Sequence, residues 1–224
     1  MTEHVHVHPP EELAEPSETH DRRERWFEIV AVFLMSIATV GIAWSGYQAA
    51  TWSGVQARRY AQSNSEHERA TRVGTLGAQE RLEDLEDFNH WLEATASGNT
   101  ALATLYERRF RDEFRPAFEA WLAQRPLERD NAPASPLFVS EYHPALEARA
   151  LAIERLAERH FESGKDATEH ADDYVFVTVL MAAVLFFGGI SLRFAWHRAR
   201  VAVLTVGAVF LVVGLVELLR LPTH

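Results

Sequence analysis

Residues 29–47 read IVAVFLMSIATVGIAWSGY, a run without proline and without a charged side chain. Wound as an α-helix at 1.5 Å per residue it is about 28 Å long, close to the ~30 Å of hydrocarbon in a bilayer. Buried helices of soluble domains are rarely apolar all round. Two further runs share this character, YVFVTVLMAAVLFFGGISL at 174–192 and VAVLTVGAVFLVVGLVELL at 201–219, and only the last holds an acid, Glu217, in its final turn. A hydrophobic content of 47% with 24% charged residues would suit a soluble domain. That average hides a segregation, because the apolar residues collect in three runs and the chain between them is strongly polar. The sequence therefore reads as an all-α membrane protein with three transmembrane helices.

Arginines set the expected orientation, since basic flanks are retained on the cytoplasmic side. Arg22, Arg23 and Arg25 precede the first run, and Arg193, Arg198 and Arg200 lie between the second and third. Both flanks are expected inside, which an odd number of crossings satisfies. The resulting division is a disordered cytoplasmic tail at 1–25, a first span at 26–47, a helical extracytoplasmic domain at 48–173, a second span at 174–196, a cytoplasmic loop at 197–200, a third span at 201–220 and a tail at 221–224. Trp26, Trp44, Tyr47, Tyr174 and Trp196 fall at the expected interfaces, where amphipathic rings settle. Gly41 and Ala43 would suit a signal-peptide cleavage site, but a long acidic leader is unlike the short basic segment that such a peptide carries.

The segment between the first two runs is helix-forming and shows almost no strand-like alternation. The first span is expected to continue outward as one helix to Ala96, with Gly74 and Gly77 as bend points and Leu82, Leu85, Phe88 and Leu92 as its apolar face. SGN at 97–99 ends it. A second helix starts near Thr100 with Leu102, Leu105, Tyr106 and Phe110, and breaks before Pro116. That proline suits the first turn of the next helix, where its missing N–H costs nothing. Pro126, Pro133, Pro136 and Pro144 make 125–144 a loop. From Ala145 a last helix carries Leu146, Ala150, Ile153, Ala157, His160, Gly164, Ala167 and Ala171 at alternating spacings of four and three, a coiled-coil-like seam, and no proline separates it from the second span. The helices are thus expected as extensions of spans one and two, joined by a short helical cap. YERRFRDEFRPAFEAWL, 106–122, is its packed apex, because aromatics at helical period form cores.

Residues 44–57, WSGYQAATWSGVQA, repeat WSGxQA after eight residues. Eight is two steps of four, so a row Gly41, Ser45, Ala49, Ser53, Ala57, Ala61 is small throughout, beside a row Trp44, Gln48, Trp52, Gln56, Tyr60 of large hydrogen-bonding side chains. Small rows let helix backbones approach closely in a membrane. The stripe is expected to pack helices, either on the chain's own spans or between copies in a homo-oligomer. The alternative is an oligomeric ion channel, its pore lined from span one by Gln48, Gln56 and the serines, with Glu169, Asp172 and Asp173 as an acidic mouth that concentrates cations.

Other chemistry is thin. The sequence holds no cysteine and a formal charge of -10, which removes thiolate sites and argues against a nucleic-acid partner. His4, His6 and His8 form an HxHxH tract able to bind a metal weakly, better read as part of a disordered arm. EHADD at 169–173 offers two ligands one turn apart, short of a closed metal site. ESGKD around Lys165 lacks the upstream glycine of a phosphate loop. Neither catalytic residues nor cofactors are expected, and Glu217 lies near enough to the interface to reach water. WSGYQAATWSGVQA, RFRDEFRPAFEAWL and DDYVFVTVLMAAVLFFGGISLRF together resemble a group of bacterial three-span inner-membrane proteins of unknown function. The resemblance implies the membrane architecture and an inner-membrane location, and it brings no functional residues. The expected partners are the lipid bilayer and further copies of the chain, in a non-enzymatic assembly or scaffold.

Overall fold

The structure, a computed structural model, describes residues 18–223 apart from 130 and 195, with side chains from residue 25 onward. Five α-helices follow one another: α1 (Glu18–Ala96), α2 (Thr100–Arg109), α3 (Arg115–Ala123), α4 (Ala145–Ser191) and α5 (His197–Arg220), with a 3-10 turn at Pro136–Phe138. Among the described residues there is no strand. The fold is all-α, as expected, and three of its helices, α1, α4 and α5, contain stretches long and apolar enough to cross a membrane. α1 runs unbroken because no proline falls between Pro16 and Pro116. It starts at Glu18, inside the segment expected to be a disordered tail. His4, His6 and His8 lie outside the described residues.

The stop at SGN is a backbone device. Gly98 takes φ +76°, a left-handed conformation that costs glycine little. Its N–H donates to Thr95 O at 3.1 Å and that of Asn99 to Ala94 O at 2.9 Å, which satisfies carbonyls that the helix end leaves open. The Asn99 side chain then caps α2 by accepting from Leu102 N at 3.2 Å. Pro116 stands in the first turn of α3.

The chain divides into two compact units, Met1–Ser53 with Thr168–His224, and Gly54–Ala167. In the first, α1 and α4 run antiparallel. Gly188 of α4 faces Met35 of α1, Gly41 faces Met181, and the rings of Trp52 and His170 are 4.7 Å apart. α5 joins them through Gly207 at Phe187 and Gly214 at Met181. Ala38, Val177, Met181, Val184 and Leu211 are buried at the centre. The turn between α4 and α5 is earlier than expected. α4 ends at Ser191 rather than at 196, and residues 197–200, expected as the loop, are the first turn of α5. From within α5 Arg200 Nε donates to Ser191 O at 3.4 Å, a second donor, beside Phe194 N, at the carbonyl end of α4.

In the second unit the α4 seam is buried or half-buried at each expected position from Leu146 to Ala167, while the off-seam Leu151 is exposed. Tyr60 lies on Gly164, His67 Nδ1 is 2.9 Å from Glu154 Oε1, and Gly74 and Gly77 face Ala150 and Glu147. The two glycines expected as bend points are places where α4 comes close. α3 and the short segment joining it to α2 carry an aromatic core of Phe110, Phe114, Phe118 and Trp121 against Phe88 and Trp91 of α1. Edge-to-face pairs recur through it, Phe110–Phe118 at 4.7 Å and Trp91–Phe118 at 4.8 Å. Such pairs add about 0.5–1.5 kcal/mol beyond the area they bury. Trp121 Nε1 donates to Pro133 O at 2.6 Å and so closes the proline-rich loop onto α3.

The apolar face expected on α1 needs correction. Leu82 is 64% exposed, whereas Asp84 is 2% exposed, and the buried positions are Asp84, Phe88 and Trp91, with Leu85 and Leu92 at the edge. A carboxylate occupies a core position here because its partners come from elsewhere in the unit.

Candidate functional site

The tandem repeat does not present two copies of one surface. Eight residues advance a helix by about 80° beyond whole turns, so equivalent positions face different ways. Ser45 is fully buried and Ser53 exposed; Gln48 is fully buried and Gln56 half-buried; Ala49 is buried and Ala57 exposed. A row of i to i+4 steps likewise drifts by about 40° at each step. The row expected as one stripe starts inside at Gly41 and Ser45, reaches the edge at Ala49, and is exposed at Ser53, Ala57 and Ala61. The companion row is divided as well, with Trp44 exposed, Gln48 enclosed and Trp52, Gln56 and Tyr60 half-buried. The face of α1 turned to the rest of its unit is instead Ala38, Gly41, Ser45 and Gln48, spaced by three, four and three. That alternation keeps side chains on one side of a helix facing a nearly parallel neighbour.

At one end of this face a carbonyl gathers the three helices. Pro222 O, just past α5, accepts from Trp52 Nε1 of α1 and from Tyr174 Oη of α4, each at 3.2 Å. Glu169, Asp172 and Asp173, expected to form an acidic mouth, are exposed on α4, off the seam that buries Ala171 and Tyr174. Glu217 is half-buried, 3.4 Å from Arg220.

The second unit has a polar centre of its own. Arg111 donates through Nε to Asp84 Oδ1 at 2.9 Å and through Nη2 to Oδ2 at 3.0 Å, a two-pronged pair that matches the guanidinium fork to the carboxylate. Arg111 Nη1 is 2.6 Å from Glu80 Oε2. Tyr142 Oη donates to Asp84 Oδ2 at 3.0 Å. One carboxylate on α1 thus holds the segment between α2 and α3 and the loop before α4. The Asp84 hydrogen bond raises the Arg111 pKa further, so the guanidinium stays charged.

Burial, then the charge of Asp84, raises the Tyr142 pKa above the ordinary phenol value of 10.0. Above about pH 10 the unfolded phenol releases its proton while the folded one keeps it, so stability is intact below that pH and falls as pH rises beyond it. Unfolding titrations from pH 7 to 11 are expected to show this fall in the natural chain and a shallower one in Tyr142→Phe; parallel curves would mean that Tyr142 is not the group responsible.

Among the described residues no group of three or more His, Cys, Asp or Glu side chains is arranged to hold a metal. Comparisons with protein families, with curated proteins and with solved structures find no match to the chain.

Proposed function

We propose that the chain is a non-enzymatic integral membrane protein that assembles with copies of itself, as a scaffold in the bacterial inner membrane. The observation that supports self-assembly is a second small face on α1. Ala43, Gly46, Ala50 and Ser53 are all exposed, spaced by three, four and three on the side opposite Gly41, Ser45 and Gln48. A methyl group added at Gly46 would meet nothing within 4 Å. Small residues in lipid leave a shallow track in which a second helix backbone gains dispersion contacts. Tyr47, exposed beside the track, gives it a rim on one side. The self-association surface is therefore not the row first expected, whose inner half is taken up within the chain. Ion conduction draws no support from Gln48, which lies inside the bundle of its own chain.

Since the chain has no cysteine, single cysteines test this without background. In native membranes treated with a membrane-permeant oxidant, Gly46→Cys and Ala50→Cys are expected to give disulfide-linked dimers, while Ser45→Cys and Gln48→Cys stay monomeric. Monomers at all four positions would remove the proposal.

A further inference from the structure

Ser45 and Gln48 are both fully buried, and Ser45 Oγ and both polar atoms of the Gln48 amide have no hydrogen-bond partner within the protein. They sit three residues apart on the inward face of α1, within the first unit. The hydroxyl is conspicuous against its neighbours. On the same helix Ser36, Thr39, Thr51 and Ser53 each donate to the carbonyl four residues back, at 2.8–3.0 Å. Thr178 on α4 and Thr205 on α5 do the same. Ser45 departs from this habit, and a second unbonded polar side chain, Gln48, lies a turn away. In a helix that crosses a bilayer there is no bulk solvent around such groups, and a polar group left without any partner there is strongly disfavoured.

We propose that Ser45 and Gln48 form an internal hydration site, in which ordered water bridges Ser45 Oγ and the Gln48 amide inside the three-helix bundle. Water fits the donor set better than a cation. The amide offers two N–H donors and one acceptor oxygen, the hydroxyl offers one donor and acceptor lone pairs, and a water molecule answers both kinds while a cation answers only oxygens. Buried water characteristically takes such positions, with two to four polar partners. The site rests on the membrane reading of α1 and not on self-assembly.

The full chain in lipid nanodiscs, with water itself as the probe, tests this. Water-to-amide magnetisation transfer is expected at the Gln48 side-chain NH2, identified by its disappearance in Gln48→Met, and weakened in Ser45→Ala. Melting temperatures give the second readout. Gln48→Met and Ser45→Ala are each expected to lower it by a few degrees, and the double variant to lower it no further than the larger single effect, because both remove one shared bridge. Absence of transfer to the Gln48 amide in the natural chain overturns the proposal. So does a pair of substitutions that each raise the melting temperature and add, which is the behaviour of dry, unbonded groups.

Discussion

Asp84→Ala is expected to unfold the second unit more readily than any other single change considered, at a cost of about 3–5 kcal/mol. The substitution removes a carboxylate that is 2% exposed and accepts three hydrogen bonds, two from Arg111 and one from Tyr142. What remains is worse than an absent bond. Arg111 keeps its charge and Tyr142 its hydroxyl, both facing a position vacated by their acceptor, and the stranded donors carry the desolvation penalty. The Arg111 side chain is 26% exposed and retains Glu80, which sets the expectation toward the lower end of that range. Chemical denaturation followed by tryptophan fluorescence reads this unit through Trp91 and Trp121 of its aromatic core, in a background where Trp26, Trp44, Trp52 and Trp196 of the first unit are replaced by Phe. A loss below about 1 kcal/mol would put the network in the class of solvent-exposed pairs. The triple variant Asp84→Leu, Arg111→Met, Tyr142→Phe provides the control. It removes both charges together, and buried ion pairs exchanged for apolar side chains of similar size often cost little. Recovery of most of the loss is expected.

This network also marks where sequence reasoning stopped. Helices, their caps and the α4 seam were legible because apolar and small residues at period 3.5, a proline-free run and a glycine stop each act within a few residues of chain. Asp84 was not, because apolar pattern alone assigns that stretch to Leu82 and Leu85. The partners that make burial of a carboxylate tolerable, Arg111 and Tyr142, are 27 and 58 residues away. The available signal was that Asp84 precedes Phe88 and Trp91 at spacings of four and three, with an arginine in the aromatic segment RFRDEF. The candidate site was half legible. The polar and small residues of α1 stand out in the octapeptide, but a row of i to i+4 steps does not tell which of them face inward. An eight-residue period catches the eye in a sequence, whereas burial on a helix beside nearly parallel neighbours follows seven. Ser45 and Gln48 therefore went inside while Ser53 stayed out.

The same rule separates two glycines that no composition argument can tell apart. Gly188 and Gly189 are adjacent in α4, and both look like generic small residues of a membrane helix. Counting by threes and fours from Tyr174 through Val177, Met181 and Val184 lands on Gly188, which is buried, and passes over Gly189, which is exposed. A Cβ at Gly188 would sit 2.7 Å from Met35 Cγ and 3.9 Å from Ala31 O, whereas one at Gly189 meets nothing within 4 Å. Met35 Cγ is only one bond beyond Cβ, so making room requires a χ1 rotation that repacks Met35 or a shift of α1 itself. Gly188→Leu is accordingly expected to destabilise the first unit by about 3 kcal/mol, the upper part of the range for overpacking a filled interface. Gly189→Leu is expected to change stability by no more than about 0.5 kcal/mol, as for substitutions that touch nothing. Unfolding of detergent-solubilised protein by SDS, followed by helical circular dichroism, measures both in one series. Equal effects at the two positions would mean that α1 and α4 do not pack along the seven-residue seam, and the inward placement of Ser45 and Gln48 would fall with it.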